Sequence, residues 1–372
     1  MDNNPLIELT ALGQSIWLDD IHRGMLTGGE LRQLIEEDGV SGVTSNPAIL
    51  KRAVSEHPDY TAQIATLAQK SQGSEEMYEA VVLQDIRAAA DLLRPVYERS
   101  DGGDGFVSLE VSPHLADDTV TTITEARRLW SALDRPNAMI KVPATAAGLP
   151  AMTELLADGI NINATLIFSL QRYREVAMAH MEGLERRLSH GGNVNGIASV
   201  ASFFISRIDT LVDSKLDSLR QSDPEMSAQV QELRGQAAIA TARLAYQDFQ
   251  QHRLSQRWQV LQHAGAMSQR LLWASTSTKD PAFSDIKYVE ALIGSDSVNT
   301  LPLETLYAYR QHGQPAVRIE DELEGDARML EILEELGIHM SAVARQLERE
   351  GVDKFVAAYD ELIAVIAGLA KS

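Results

Sequence analysis

Lys141 interrupts an apolar, strand-like run, Ala138-Met-Ile-Lys-Val-Pro-Ala144. A charged side chain is costly to bury, so a lysine in such a run has either a partner or a task. The task that suits it is Schiff-base chemistry. An amine in a low-dielectric pocket loses part of its preference for the ammonium form, and the free amine attacks a ketone. The structural alternative is a lysine at a strand end that snorkels to water or pairs with an acid. Glu110, between Leu109 and Val111, is a second charge inside an apolar strand and needs a partner for the same reason.

Aldol chemistry on a sugar asks for more than the lysine. An acid or base must move the proton of the hydroxyl whose C–C bond breaks, and a second carboxylate, often through water, must help dehydrate the carbinolamine. Asparagine, serine and threonine hold sugar hydroxyls. Polar residues of these types stand at the ends of successive strand-like segments: Asp19 and Asp20, Asn46, Glu110, Lys141, Asn163 and Thr165, Ser202, and Ser275. Several have plainer readings. Asp19 is equally suited to cap a helix, and Asn46-Pro47 is a common turn opener. Asn163-Ala-Thr165 matches a glycosylation sequon, an accidental match in a chain without a secretory leader.

The segments that carry these residues are Ser15–Asp20, Gly42–Asn46, Gly105–Val111, Ala138–Ala144, Asn161–Phe168, Ile197–Phe204, Leu271–Ser277 and Ser297–Pro302. Amphipathic helical stretches alternate with them, among them Glu30–Glu37, Ser74–Arg94, Thr119–Leu133 and Leu170–Leu188. Alternating β and α units imply a parallel sheet covered by helices, and eight of them favour closure into an α/β (β/α)8 TIM barrel, in which chemistry collects at the C-terminal strand ends. We expect one domain over residues 1–372, with the barrel core at about 15–310. Additional helices are expected in the long excursion at 206–269 and in the tail at 320–372, where Asp353–Ala370 is amphipathic. Asp209, Asp213 and Asp217 read as a solvated helix face.

Composition narrows the function further. The 372 residues include no cysteine, which excludes disulfides and thiolate zinc sites and suits a reducing cytoplasm. The amino terminus lacks the basic start and apolar stretch of a signal peptide, and Leu362–Ala370 is too short to span a bilayer. A formal net charge of −20 argues against nucleic-acid and anionic-membrane binding. If the ligand is a phosphate, its cationic contacts must therefore be local.

Taken together, Trp17-Leu-Asp-Asp20, Gly42-Val-Thr-Ser-Asn-Pro47, Val107-Ser-Leu-Glu-Val111, Ile140-Lys-Val-Pro143, Gly159-Ile-Asn-Ile-Asn-Ala-Thr-Leu166, Ala201-Ser-Phe-Phe-Ile-Ser-Arg-Ile-Asp209 and Leu272-Trp-Ala-Ser-Thr276 resemble the transaldolase family, in family order. The chain length and the Trp-Ala-Ser-Thr block are similar to the longer bacterial type. The resemblance implies a class I aldolase barrel without metal or other cofactor. It implies reversible transfer of a dihydroxyacetone unit from sedoheptulose 7-phosphate to glyceraldehyde 3-phosphate in the pentose phosphate pathway. By the same resemblance Lys141 falls on the Schiff-base lysine, Asp19 on the proton-transferring aspartate, and Glu110 and Thr165 on the pair that works with a water. Asn46 and Asn163 fall on residues that bind the dihydroxyacetone hydroxyls, with Ser202 and Phe204 beside them. Arg207 and Ser275 fall on phosphate-binding positions, and Lys279 is the candidate for a further cation. Ser277 stands where the longer type commonly shows glycine. The implied partners are small sugar phosphates, with the chain acting as a monomer or homodimer.

Three other readings compete. A fructose 6-phosphate aldolase would release dihydroxyacetone to water with help from a tyrosine, and this chain has Phe204 at that place. A metal-dependent aldolase would want histidines at ligand spacing, which His22, His114 and His252 do not show. A barrel that only binds sugar phosphates would be expected to have lost at least one of Lys141, Asp19 and Glu110.

Overall fold

The computed structural model describes residues 4–70 and 73–371; the extreme ends on which the leader and tail readings touch, residues 1–3 and 372, lie outside them. Eight strands, β1 (Gln14–Leu18), β2 (Val40–Val43), β3 (Phe106–Glu110), β4 (Ala138–Pro143), β5 (Ile162–Ile167), β6 (Ser199–Phe204), β7 (Arg270–Ala274) and β8 (Ser297–Leu301), run parallel and close into a barrel in chain order. Every strand residue except Arg270 is buried. That is why the strands read as nearly continuous apolar runs: a parallel strand is covered on both faces.

Several helices begin where the sequence offers a side-chain cap. Asn46, Asp118 and Ser169 each accept a backbone N–H with the side chain, opening the Pro47–Glu56, Thr119–Leu133 and Leu170–Ser189 helices. The Ser74–Arg99 helix runs one turn beyond its expected end, carrying Pro95 inside it. Asp19 caps nothing; the helix after β1, Arg23–Gly28, is capped by His22.

Two strands stop three residues earlier than their apolar pattern suggests. β2 ends at Val43, although the Thr44 N–H still donates to Leu18 O at 2.8 Å, and residues 44–46 turn toward the barrel mouth. β7 ends at Ala274 because Ser275 takes a left-handed backbone, φ 56°, which breaks the ladder.

The opposite end of the barrel is plugged by charges that satisfy one another. Asp104 accepts from Trp17 Nε1 at 2.7 Å and from Ser41 Oγ at 3.0 Å, while Arg270 donates to Ser15 Oγ at 2.7 Å. No helix among the described residues is long and apolar enough to cross a membrane.

The excursion between β6 and β7 folds as the helices Ser206–Ser222, Ser227–Leu233, Ala237–Leu254 and Gln256–His263. Here one sequence expectation is corrected. Asp209 and Asp213 do not face solvent but are buried. Asp209 accepts the Ala238 N–H at 2.7 Å and the Tyr288 hydroxyl at 2.9 Å, and Asp213 accepts the Gly235 N–H at 2.9 Å. The i, i+4 acidic stripe is thus consumed in capping the start of the Ala237–Leu254 helix.

The tail forms the helices Leu323–Glu335 and Met340–Leu369. The second begins well before Asp353, packs along the Pro47–Glu56 helix and crosses the barrel mouth. Gly351 permits the close crossing: a Cβ there would sit 3.0 Å from the Leu166 side chain.

Candidate active site

The strand register assembles the centre. Glu110 lies opposite Lys141 in the β3–β4 pair, and Lys141 lies opposite Asn163 in the β4–β5 pair, so the three stand side by side on neighbouring strands. Lys141 Nζ is 3.1 Å from Glu110 Oε1 and donates to Ser45 O at 3.1 Å, with both side chains almost fully buried. Above it lies the Phe355 ring, its centroid 5.8 Å from Nζ. The charge in the apolar strand therefore has its partner, and the partner is the other charge in an apolar strand.

Burial dominates the acids. It pushes the Glu110 carboxyl up, opposed by the Lys141 charge and hydrogen bond. It pushes Asp19 up too, opposed by Lys141 and then by the Thr44 hydroxyl, which donates to Asp19 Oδ1 at 2.7 Å. With its own proton given to Asp19, Thr44 Oγ1 accepts the Thr300 hydroxyl at 2.7 Å, so two threonines in series fix the orientation of Asp19. Apart from the ion pair with Lys141, neither Glu110 carboxylate oxygen has a hydrogen-bond partner among the described residues, and Thr165 Oγ1, wholly buried, has none either. Unsatisfied groups of this kind on the two strands that flank β4 are expected where a small polar molecule is handled.

A cavity of about 400 Å³ opens above this layer at the C-terminal strand ends. Eight of the eleven residues singled out from sequence line it: Asp19, Asn46, Lys141, Ser202, Phe204, Arg207, Ser275 and Lys279. Glu110, Thr165 and Asn163 do not; Glu110 instead lines a separate cavity with Tyr78, Ser112 and Tyr359. Asn163 is committed on both sides, its Nδ2 donating to Ser108 Oγ at 3.0 Å and its Oδ1 accepting from Ser202 Oγ at 2.6 Å. Asn46 combines its two readings, since Oδ1 caps the following helix at 3.0 Å while the residue lines the cavity.

The cavity is cationic on an acidic chain. Arg52, Lys141, Arg207, Lys279 and Lys354 line it, against Asp19 alone. Arg52 is paired with Asp20 at 2.6 Å and Lys354 with Glu350 at 3.6 Å. Arg207 is the exception in chemistry. Its guanidinium stacks on the Phe204 ring at 5.2 Å, and its buried Nη1 has no hydrogen-bond partner among the described residues. Burial pulls its protonation down from the ordinary arginine value, opposed by Asp19 and Glu350. A buried guanidinium with a free donor is a ready anion contact.

Ser275 and Lys279 flank Arg207 on the loop after β7. Ser275 Oγ lies 2.9 Å from Ser206 Oγ, and its left-handed backbone is of the sparsely populated kind that clusters at functional sites. Ser277 accepts from Lys279 Nζ at 2.6 Å and is not among the left-handed positions, so the turn does not need glycine there.

Sequence reasoning did not single out Thr44, Thr300, Arg52, Lys354 or Phe355. Thr44 was within reach, being part of the Gly42–Pro47 block. Lys354 and Phe355 arrive on the last helix, and nothing in its amphipathic pattern says which barrel it covers. Among the described residues, no three His, Cys, Asp or Glu side chains converge in a group able to hold a metal ion.

Comparison with known proteins agrees across the chain. Residues 16–366 match the family described as transaldolase/fructose-6-phosphate aldolase. The protein called transaldolase 2 in a Nostoc species is 44% identical over 373 residues, covering 99% of this chain and 98% of its own. The Thermobifida fusca protein called transaldolase is 47% identical over 365 residues, covering 98% of each.

Proposed function

This chain belongs to the transaldolase/fructose-6-phosphate aldolase family, and on that premise we propose that it moves a dihydroxyacetone unit between sugar phosphates. The donor is sedoheptulose 7-phosphate and the acceptor glyceraldehyde 3-phosphate, giving erythrose 4-phosphate and fructose 6-phosphate in the cytoplasmic, non-oxidative pentose phosphate pathway. The observation that carries the site assignment is the buried Lys141–Glu110 pair, 3.1 Å apart, whose lysine lines a cavity with four other cations and one acid.

The reaction begins when Lys141 gives a proton to Glu110 and its nitrogen attacks the ketose carbonyl. Burial raises the Glu110 carboxyl, which suits it to accept that proton and return it. Through a water held at Thr165, Glu110 then protonates the carbinolamine hydroxyl, which leaves as water, and the iminium forms. Asp19 takes the proton of the C4 hydroxyl, the C3–C4 electron pair moves into the iminium to give an enamine on Lys141, and the aldose phosphate departs. The incoming aldehyde is attacked by the enamine, Asp19 returns the proton to the new alkoxide, and water releases the ketose.

Asn46, and Asn163 acting with Ser202, hold the dihydroxyacetone hydroxyls. Arg207, Ser275 and Lys279 hold the phosphate, a role supported by the free Nη1 of Arg207. Phe204 places a ring without a hydroxyl beside the intermediate, which disfavours release of dihydroxyacetone to water and so the aldolase alternative.

The test is borohydride reduction in fructose 6-phosphate followed by mass spectrometry, with and without erythrose 4-phosphate. A three-carbon adduct on Lys141 that the acceptor discharges is the expected result. Absence of any adduct would leave a barrel that binds without reacting.

A further inference from the structure

Lys279 is followed at once by Asp280, a carboxylate that would pair with it and cancel its charge. It does not do so. Arg234, on the far side of the excursion, donates through Nη2 to Asp280 Oδ2 at 2.7 Å, and through Nη1 to Asp217. The other oxygen of Asp280 accepts the Ala282 N–H at 2.9 Å. Both oxygens of Asp280 are thus engaged, and the carboxyl is held below its usual range, first by the Ala282 N–H and then by Arg234. Lys279 is left with a hydroxyl for company: its Nζ donates to Ser277 Oγ at 2.6 Å, and it forms no ion pair among the described residues.

Arg234 is itself held in place. It is largely buried, and the next residue, Gly235, is fixed by the Asp213 carboxylate on its N–H and by Lys287 on its carbonyl. Gly235 has φ 68°, a left-handed backbone that favours glycine. The arginine therefore projects from a rigid base into the loop that follows β7.

We propose that Arg234 is a positioning residue for the anion site: by holding Asp280 away from Lys279, it keeps the Lys279 ammonium free for a substrate phosphate. The inference rests on the phosphate role of Lys279 given above. It also gives the 206–234 part of the excursion a purpose, since Asp217 and Arg234 both come from it.

Four variants test it: R234Q, D280N, the double variant R234Q/D280N, and K279M. The readouts are KM and kcat with fructose 6-phosphate, the inhibition constant of inorganic phosphate, and borohydride trapping of dihydroxyacetone, which has no phosphate. R234Q is expected to raise KM and the phosphate inhibition constant by about tenfold, the weight of one charge-assisted contact, with dihydroxyacetone trapping retained. D280N alone leaves both constants near the wild-type values, and the double variant restores them, which mere loop disorder would not allow.

R234Q behaving as wild type while K279M weakens phosphate binding would overturn the inference alone. So would a double variant as weak as R234Q. K279M with unchanged constants would remove the phosphate role of Lys279, and this inference with it. Retained trapping in each variant shows that the barrel is folded.

Discussion

Replacing Asp19 with asparagine removes a base and little else. The two side chains have the same shape, the asparagine carbonyl can still accept the Thr44 hydroxyl now 2.7 Å from Oδ1, and the backbone bond from Asp19 N–H to Leu301 O at 2.8 Å is untouched. A positioned general base contributes on the order of a hundred- to ten-thousand-fold, which is about 3–5 kcal/mol of barrier. The loss in D19N belongs toward the upper end, because C–C cleavage and C–C formation both pass through this carboxylate. Iminium formation does not. Reduction in fructose 6-phosphate should therefore still label Lys141, but with a six-carbon instead of a three-carbon adduct. The pH profile carries the same signature. Burial raises the Asp19 carboxyl, so wild-type turnover rises with pH through a limb above the ordinary aspartate range, and the residual rate of D19N lacks that limb. A folded D19N within tenfold of wild type would refute the assignment. So would a folded D19N that gives no adduct, which would move Asp19 to the earlier step.

Lys141→Arg keeps a cation opposite Glu110 but cannot form the adduct at neutral pH, so turnover and borohydride labelling should both vanish; measurable labelling in this variant would end the Schiff-base reading. Phe204→Tyr puts a hydroxyl into the cavity and should raise release of free dihydroxyacetone relative to transfer, measured as the ratio of the two rates; an unchanged ratio would show that Phe204 does not guard the intermediate. Turnover in excess EDTA should equal that in buffer, and a loss restored by a divalent cation would reopen metal chemistry. His180, buried against Trp258, is pushed by desolvation from the usual 6.5 down to about 4. The unfolded chain takes up this proton first as pH falls, so stability is full above the usual histidine value and declines by about 3 kcal/mol toward pH 4. Urea midpoints should fall less steeply over that window in His180→Gln, and parallel curves would show that the histidine is not the cause.

The barrel was legible because burial on both faces leaves a strand few options, and the exceptions were the chemistry. Lys141 and Glu110 stood out separately in sequence as charges that needed partners. That they are each other's partner follows from the β3–β4 register, which no single strand encodes. Alternation within a strand places Ser108 and Glu110 on one face, but the chain Ser108–Asn163–Ser202 needs three strands in known order. Asp209 and Asp213 were misread for a related reason. Helical spacing identifies a polar stripe, yet whether water or an N–H of another segment meets it depends on where the next helix starts. The end of β7 was hidden by residue type, since serine gives no sign of a left-handed backbone and only the fold around Ser275 imposes it. Phe355 and Lys354 were hidden by topology, because they enter the site from the last helix of the chain.

A chain of net charge −20 that receives phosphates has two problems, and the structure treats them differently. Distant acids matter little, because screening in water weakens them over about 10 Å. Nearby acids matter a great deal, and four around the barrel mouth are occupied by something other than the anion site. Asp20 is held by Arg52, Asp280 by Arg234, and Glu350 by Lys354, while Asp19 accepts the hydroxyl of Thr44, which Thr300 holds in turn. What remains without an acid partner is Arg207, against an aromatic ring, and Lys279, against a hydroxyl. These contacts orient a cation without neutralising it. The charge that selects the substrate is thus created less by adding cations than by withdrawing carboxylates. Removing one of the withdrawing partners should therefore harm phosphate binding as much as removing a cation that touches the phosphate.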